Sequence, residues 1–446
     1  MASSKKRQCA DLPQHLADFL QRHIPPGSSL LLGLSGGLDS RVLLDLLAKA
    51  ASSHSFHLSA LHVHHGISPN ADAWADFCHE VCAAVHIPLK VVKVNVPRDS
   101  GLGLEAAARN TRYAALLAER ADFVMLAHHR DDQAETLMLQ LLRGAGVKGL
   151  AGMGKVNNKG GNIIVRPLLE VARADLFDYA QAHQLAWIDD ESNLDLAYDR
   201  NFLRHEIIPT LEKRFPASVT TLSRSAAHLA EAAGLLEELA ASDAISMLEQ
   251  NKLALPGLRQ LTEPRAKNLL RYWFGLFNID APSSVKLEEM LRQLQVVTAD
   301  TQSQFRLGAY DLRCYRSHAW LVPHRVKSSG TLCLDWNGEE RMSLHGLGVI
   351  TLERAVGEGI SLQSLAGNTL TFRLRQGGER FKPDGSRPIR SLKSLLQNCG
   401  IPPWQRETLP LLFCNDELVA VPGIGVACRW QAGPGIASVK LLWRPD

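Results

Sequence analysis

The ten residues AHHRDDQAET, Ala127 to Thr136, put two histidines, two aspartates and a glutamate around what reads as a helix start. Asp132 and Glu135 stand three apart, so a helix there points both carboxylates the same way. Such a face suits a cationic substrate or a magnesium ion. Asp131 and Asp132 have a plainer use as capping residues, but two preceding histidines and an aligned glutamate exceed what capping needs. A second constellation is SGGLDS. From Ser35 through Gly36, Gly37, Leu38 and Asp39 to Ser40, a glycine pair frees several N–H groups to converge on an anion. A following helix adds the positive end of its dipole. Ser35 and Ser40 supply hydroxyls, and Asp39 is placed to hold a magnesium ion that screens phosphates. By itself the motif is equally an ordinary turn between strand and helix.

Three further clusters carry weaker signals. In EAAARNTRY, Glu105, Arg109 and Arg112 share one helix face. That face is either solvated and ion-paired or a guanidinium pair facing phosphate, and spacing alone does not choose. In HVHHG, strand alternation sets His62 and His64 on one face and His65 on the other, an arrangement poorly suited to zinc. In DDESNLDLAYDRNFLRHEIIP, Arg200, Asn201 and Arg204 follow Tyr198 at a helix start. GLAGMGKV, Gly149 to Val156, looks like a Walker loop, but Val156 replaces the hydroxyl such a loop offers magnesium, and it follows a helix.

The elements that must position these residues are legible around them. SLLLGL (29–34), HLSALHV (57–63), LKVVKVNV (89–96) and DFVMLA (122–127) read as strands. Between and after them, 39–50, 71–85, 105–120 and 131–143 read as helices. The alternation predicts βαβ units and a parallel sheet covered on both faces. Ligands of such sheets bind outside the carboxyl ends of the strands, where SGGLDS, HHG and HHRDDQ fall. From Phe215 an Ala/Leu-rich pattern predicts a helical second domain, and beyond Val326 short alternating runs with Gly and Pro predict a third, mixed or β-rich one.

A chain of 446 residues exceeds one ordinary core. Its 46% apolar and 21% charged residues are those of a soluble globular protein. No apolar run is long enough to cross a bilayer, and the basic start lacks the apolar stretch of a secretory signal, so a cytoplasmic location is expected, with no membrane partner. Eight cysteines, Cys9 included, are scattered without a CxxC pair, which predicts reduced, mostly buried thiols. Net charge is only +3, yet Thr371 to Asp446 holds eleven Lys/Arg against six Asp/Glu.

The strand, loop and helix around SGGLDS resemble the PP-loop ATP pyrophosphatases. SGGLDS, HVHHG, ExxARxxRY, AHHRDDQAET, LLRGAGVKGL, RPLL and ESNxDxxYxRNxxR also follow one another as in bacterial tRNA(Ile)-lysidine synthetases, over about residues 28–209. RQGGERFKPDG, SLKSLLQNCGIPPWQRETLPLLF and LVAVPGIG resemble that family's terminal tRNA-binding domain. One departure is Ser68, where many members carry arginine.

The resemblance implies an α/β fold with a doubly wound PP-loop domain at 1–215. A helical domain at 216–325, tRNA-binding or connecting, and a small mixed or β-rich tRNA-binding domain at 345–446 would follow. It implies a ligase that uses ATP and magnesium to adenylate O2 of the wobble cytidine in the CAU anticodon of tRNA(Ile). L-Lysine then displaces AMP at C2, which changes codon reading from AUG to AUA and identity from methionine to isoleucine.

By the same token Ser35 to Ser40 hold pyrophosphate, Asp39 contacts magnesium, and Asp132 and Glu135 hold the lysine; Arg109, and Arg112 after it, are candidates to stabilise the α-phosphate or the adenylated intermediate. No general base is assigned. Arg200, Arg204, Arg380, Lys382 and Arg390 are candidate tRNA contacts, and Trp404 or Phe381 a stacking surface. A homodimer is left open. The rivals are another PP-loop ligase, a tRNA thiolation enzyme, which the lack of a CxxC disfavours, and a tRNA-binding protein with an inactive nucleotide site.

Overall fold

The computed structural model describes residues 11–97, 103–159, 161–296, 304–324 and 332–445. Cys9, the basic start and the expected junction at Val326 lie outside the described residues. The chain divides into two compact units, Met1–Leu239 and Ala240–Asp446.

The first unit opens with α1 (Leu12–His23) and β1 (Ser28–Gly33), followed by α2 (Leu38–Ala50), β2 (Phe56–His64), α3 (Ala71–Ala84) and β3 (Leu89–Lys93). Next come α4 (Leu104–Leu117), β4 (Phe123–Met125), α5 (Arg130–Leu142), α6 (Val147–Leu150), β5 (Val156–Lys159), β6 (Asn162–Val165) and α7 (Arg173–Ala182). The sheet runs β3-β2-β1-β4-β6-β5, parallel except for β5, which forms an antiparallel hairpin with β6.

Three consecutive leucines explain how this sheet is covered twice. Side chains alternate along a strand, so Leu30 and Leu32 enter one core with α1, α2, α3 and α7, while Leu31 enters a second with α4. Burying each such leucine contributes about 1.5–3 kcal/mol. An uninterrupted apolar strand is therefore the signature of a doubly wound sheet. Strand order reverses between β1 and β4, opening a crevice at their carboxyl ends. SGGLDS follows β1 and HHRDDQ follows β4, so the topology alone brings the two motifs to one cleft.

The second unit pairs the helices Glu263–Leu276 and Ser284–Val296 with a five-stranded antiparallel sheet built from 248–254 and 304–323. Trp273, Phe274, Leu287 and Met290 fill its core. The sequence reading placed the helices but not this sheet. Beyond it, a five-stranded and a four-stranded antiparallel sheet pack over Ile350, Phe372, Leu412 and Val419. Among the described residues no helix is long and apolar enough to cross a membrane.

Burial pushes the Cys78 thiol up to about 12 and those of Cys82 and Cys314 to about 11. In native protein these three should resist iodoacetamide at pH 8, while the exposed Cys333 and Cys399 react, as mass spectrometry of labelled peptides would read. Alkylation of Cys78 before unfolding would contradict the packing of α3.

Candidate active site

The loop after β1 is held from three sides. His62 Nδ1 donates to Leu34 O (2.9 Å), Leu34 N–H donates to Leu61 O (2.9 Å), and Ile188 N–H donates to Gly36 O (2.9 Å). Ser35 and Ser40 hydroxyls lie 3.1 Å apart, and no side chain caps α2 at Gly37. The first-turn N–H groups of a thirteen-residue helix are thus left for a ligand.

Gly36 has φ +86°, and a Cβ there would fall 2.5 Å from Ile188 Cδ1 and 3.2 Å from Cys78 Sγ. Gly37 has ordinary φ, and its Cβ would meet Ser35 Oγ at 3.5 Å. Gly36→Ala should therefore cost about 1–3 kcal/mol of stability and weaken ATP binding about tenfold, whereas Gly37→Ala should leave the unfolding midpoint nearly unmoved. Urea melts and calorimetric titration with ATP would show it. Equal stability of the two variants would remove the steric argument.

Across the crevice, α5 starts with His129 as its N-cap. Asp132 Oδ2 accepts from His129 N–H (3.0 Å), and Asp131 Oδ2 accepts from Arg173 N–H (3.0 Å). The His129 ring is 1% exposed. Its Nε2 lies 3.5 Å from Asp39 Oδ2 and 3.4 Å from Asp132 Oδ2, and its Nδ1 lies 3.7 Å from Asp131 Oδ2. Burial opposes its charge, but Asp132, Asp39 and Asp131 outweigh it and raise its pKa to about 9. His129 therefore ties the PP loop to α5, a role that spacing did not reveal.

Asp132 and Glu135 do point the same way, and two arginines meet them. Arg200 donates to Glu135 Oε2 (2.6 Å) and Asp132 Oδ1 (3.0 Å). Arg204 donates to Glu135 Oε1 (2.6 Å) and Oε2 (3.0 Å) and to Asp132 Oδ1 (3.2 Å). Glu135 is 1% exposed, and Arg200 and Arg204 are 18% and 25% exposed. Instead of lying open to tRNA, these arginines are committed to the carboxylates. They come from α8 (Asp199–Phe202) and the π-helical turn Leu203–Ile207 that continues it. Asn201 anchors that segment by donating to Ser192 O (2.7 Å) and Asp195 O (2.9 Å). Burial alone would raise the Asp132 pKa; His129, Arg200 and Arg204 instead hold its carboxyl well below the usual range.

The crevice is consequently polarised. On one side four carboxylates (Asp39, Asp131, Asp132, Glu135) meet His129, Arg200 and Arg204. Nearby, Arg109, Arg112 and Arg166 all act on Tyr113, whose phenol they hold below its ordinary value against the opposing effect of burial. Arg109 lies over the Tyr113 ring (5.3 Å), and burial, then Arg109, lowers Arg112. A small cation fits one pole and an anion the other.

The remaining candidates fall elsewhere. His64 pairs with Asp72 (3.1 Å), while burial and then Arg112 lower His65 to about 4. Lys155 of the Walker-like stretch is spent on Glu170 (2.8 Å). In the C-terminal region Arg380, Lys382 and Arg390 are exposed on and beside the hairpin formed by Arg380–Phe381 and Arg390–Ser391. Phe381 is 1% exposed and belongs to the core, so it offers no stacking surface. Trp404 is partly buried, packed against Tyr315 and Trp320 with Arg313 over its ring.

Comparison with known proteins follows the same partition. Residues 9–211 match a PP-loop domain, 253–320 a TilS substrate binding domain and 370–443 a TilS substrate C-terminal domain. The chain is 45% identical to the tRNA(Ile)-lysidine synthase of Nitrosomonas europaea, over 100% of this chain and 98% of that protein. It is 41% identical to that of Aromatoleum aromaticum, over 94% and 98% of the two chains. With the Coxiella burnetii protein of the same name it shares 37% identity over 95% of each.

Proposed function

The chain belongs to the tRNA(Ile)-lysidine synthase family, and from that premise we propose how its residues divide the ligation of lysine to the wobble cytidine of tRNA(Ile). The observation that carries the assignment is the meeting of the PP loop and the Asp132–Glu135 pair at one switch-point crevice. ATP enters with its β- and γ-phosphates on the N–H groups that open α2 and on the Ser35 and Ser40 hydroxyls. Asp39 keeps Oδ1 enclosed without a protein partner, which fits a carboxylate that receives magnesium with the phosphates supplying the other oxygens. A magnesium ion bound there screens the phosphate charge.

Cytosine O2 attacks the α-phosphate and pyrophosphate leaves. Arg109 lies at the basic pole, suited to the negative charge on the transferring phosphoryl group. L-Lysine then binds by its ammonium at the acidic pole. An ordinary lysine has a pKa of about 10.4 and must lose a proton before it attacks. Asp132 and Glu135 orient the side chain, and the amine forms the C2–N bond as the C2–O2 bond breaks and AMP departs with the electron pair.

Arg200 and Arg204 neutralise the acidic pair until the ammonium arrives. They act on the site rather than on tRNA phosphates. Exposed cations of the C-terminal hairpin supply tRNA contacts instead.

Incubation with labelled ATP, lysine and a tRNA(Ile) transcript tests the reading. Sustained release of AMP and pyrophosphate should need both lysine and tRNA, with no more than one pyrophosphate per tRNA when lysine is withheld. Sustained release driven by a sulfur donor in place of lysine would overturn it.

A further inference from the structure

Arg166 stands immediately after β6 and is 4% exposed. Among the described residues its guanidinium donates to three neutral acceptors: Gly154 O (2.8 Å), His128 Nδ1 (3.3 Å) and Tyr113 Oη (3.5 Å). No carboxylate pairs with it among the described residues. A buried guanidinium cannot lose its proton and can only donate, so the hydrogen bond to His128 has one possible direction. The Nδ1 of His128 must be unprotonated.

That contact fixes the tautomer of His128. Desolvation keeps the ring neutral, reinforced by Arg166, Arg109 and Arg112 against the single opposing pull of Asp132. A neutral imidazole with Nδ1 accepting carries its proton on Nε2. Nε2 makes no hydrogen bond among the described residues, and the residue is only partly buried. Asp132 of the acidic pair and Arg109 and Arg112 of the basic cluster all act on the His128 ring, which ties it to the same crevice.

We propose that His128, held as its Nε2–H tautomer by Arg166, is a catalytic residue that donates a hydrogen bond to a non-bridging oxygen of the ATP α-phosphate. Arg166 is the positioning residue behind it. The step served is the adenylation proposed above, on which this inference rests. A bond forms from cytosine O2 to phosphorus, the bond from phosphorus to the bridging oxygen breaks, and its electron pair leaves with pyrophosphate. The base takes up the positive charge, and His128 keeps its proton throughout. A fixed neutral donor suits this task because it adds a dipole where charge develops. The same geometry excludes His128 as the base that deprotonates lysine, since its only lone pair on a ring nitrogen is spent on Arg166.

Isosteric replacements separate the two ring nitrogens. Glutamine can present an N–H near the Nε2 position, whereas asparagine reaches only as far as Nδ1. Single-turnover pyrophosphate release would be measured with excess enzyme, ATP and tRNA, without lysine. H128N should be slower than wild type by about a hundredfold, and H128Q should recover to within about tenfold of it. ATP and tRNA dissociation constants should stay within about twofold.

Equal rates for H128N and wild type, or equal losses in H128N and H128Q, would overturn the donor role. A defect confined to tRNA affinity would overturn it too. Absence of release by wild type would instead bring down the adenylation reading itself. Nitrogen-15 chemical shifts of histidine-labelled enzyme give a measurement that needs no activity, with the resonance assigned by its disappearance in H128Q. The Nε2–H neutral tautomer is expected from pH 6 to 9, and R166M should release it to a tautomer mixture. An imidazolium or an Nδ1–H ring in wild type would refute the proposal.

Discussion

Glu135→Gln is expected to raise the lysine KM by about a hundredfold or more while single-turnover pyrophosphate release from ATP and tRNA continues near the wild-type rate. Glu135 is almost wholly buried, and both its oxygens accept from Arg200 and Arg204. In the proposed site, removing its charge deprives the lysine ammonium of one partner and leaves two guanidinium groups facing Asp132 alone. Truncating one member of a buried charge pair typically costs about 3–5 kcal/mol, so the urea midpoint should fall as well.

Loss of stability and loss of lysine binding must then be told apart. The double variant E135Q/R200M removes an arginine that E135Q has left under-paired. It should regain part of the lost stability, yet its lysine KM should stay high, because the seat for the ammonium is still missing. Recovery of lysine affinity together with stability would mean that the carboxylate only supports the fold. An unchanged lysine KM in E135Q would remove Glu135 from the binding site altogether.

This cluster also shows what a single sequence can disclose. β1, its loop and α2 are written in adjacent residues: an apolar run, two glycines and an amphipathic helix. The bounds read from SLLLGL and DSRVLLDLLAKA agree with the strand Ser28–Gly33 and the helix Leu38–Ala50 to within a residue. Asp132 and Glu135 are likewise local, since three residues on one helix set their common direction.

Arg200 and Glu135 are 65 residues apart, and Arg166 and His128 are 38 apart. Nothing in either segment names the other. The arginines after Tyr198 therefore read as a basic helix start, and Arg166 as an unexplained member of RPLL. Only the parallel sheet, which sets the ends of β4 and β6 side by side, makes the His128 contact available.

The missed sheet in the second unit has a different cause. YDLRCY and HAWLVP alternate clearly and form a hairpin from Tyr310–Tyr315 and His318–Pro323. Its partners on one side are only two and three residues long, at Leu248–Glu249 and Lys252–Ala254. Strands that short carry no period, and the long helix Ser218–Ala244 upstream dominated the composition.

Neutralising Arg380, Lys382 and Arg390 together, each to glutamine, is expected to weaken tRNA binding by about a hundredfold at 0.15 M salt. The local charge balance prepares this result. Of the basic residues between 373 and 393, Arg373 pairs with Asp416, Arg375 with Glu379 and Arg387 with Asp384. Arg380, Lys382 and Arg390 are exposed and have no ion pair among the described residues. Holding them there is a short ladder in which Arg380 pairs with Ser391 and Phe381 with Arg390, pinned by the buried Phe381 ring.

Each phosphate contact releases condensed counterions, so the slope of log K against log salt should flatten by about 2–2.7 for three contacts. ATP affinity should not change, because the PP loop belongs to the other compact unit. The reverse pattern is equally informative. A triple variant with reduced affinity but an unchanged salt slope would mean that the hairpin was deformed, not discharged. One with full affinity would show that tRNA passes this face without touching it, and the surplus of positive charge in the C-terminal region would need another partner.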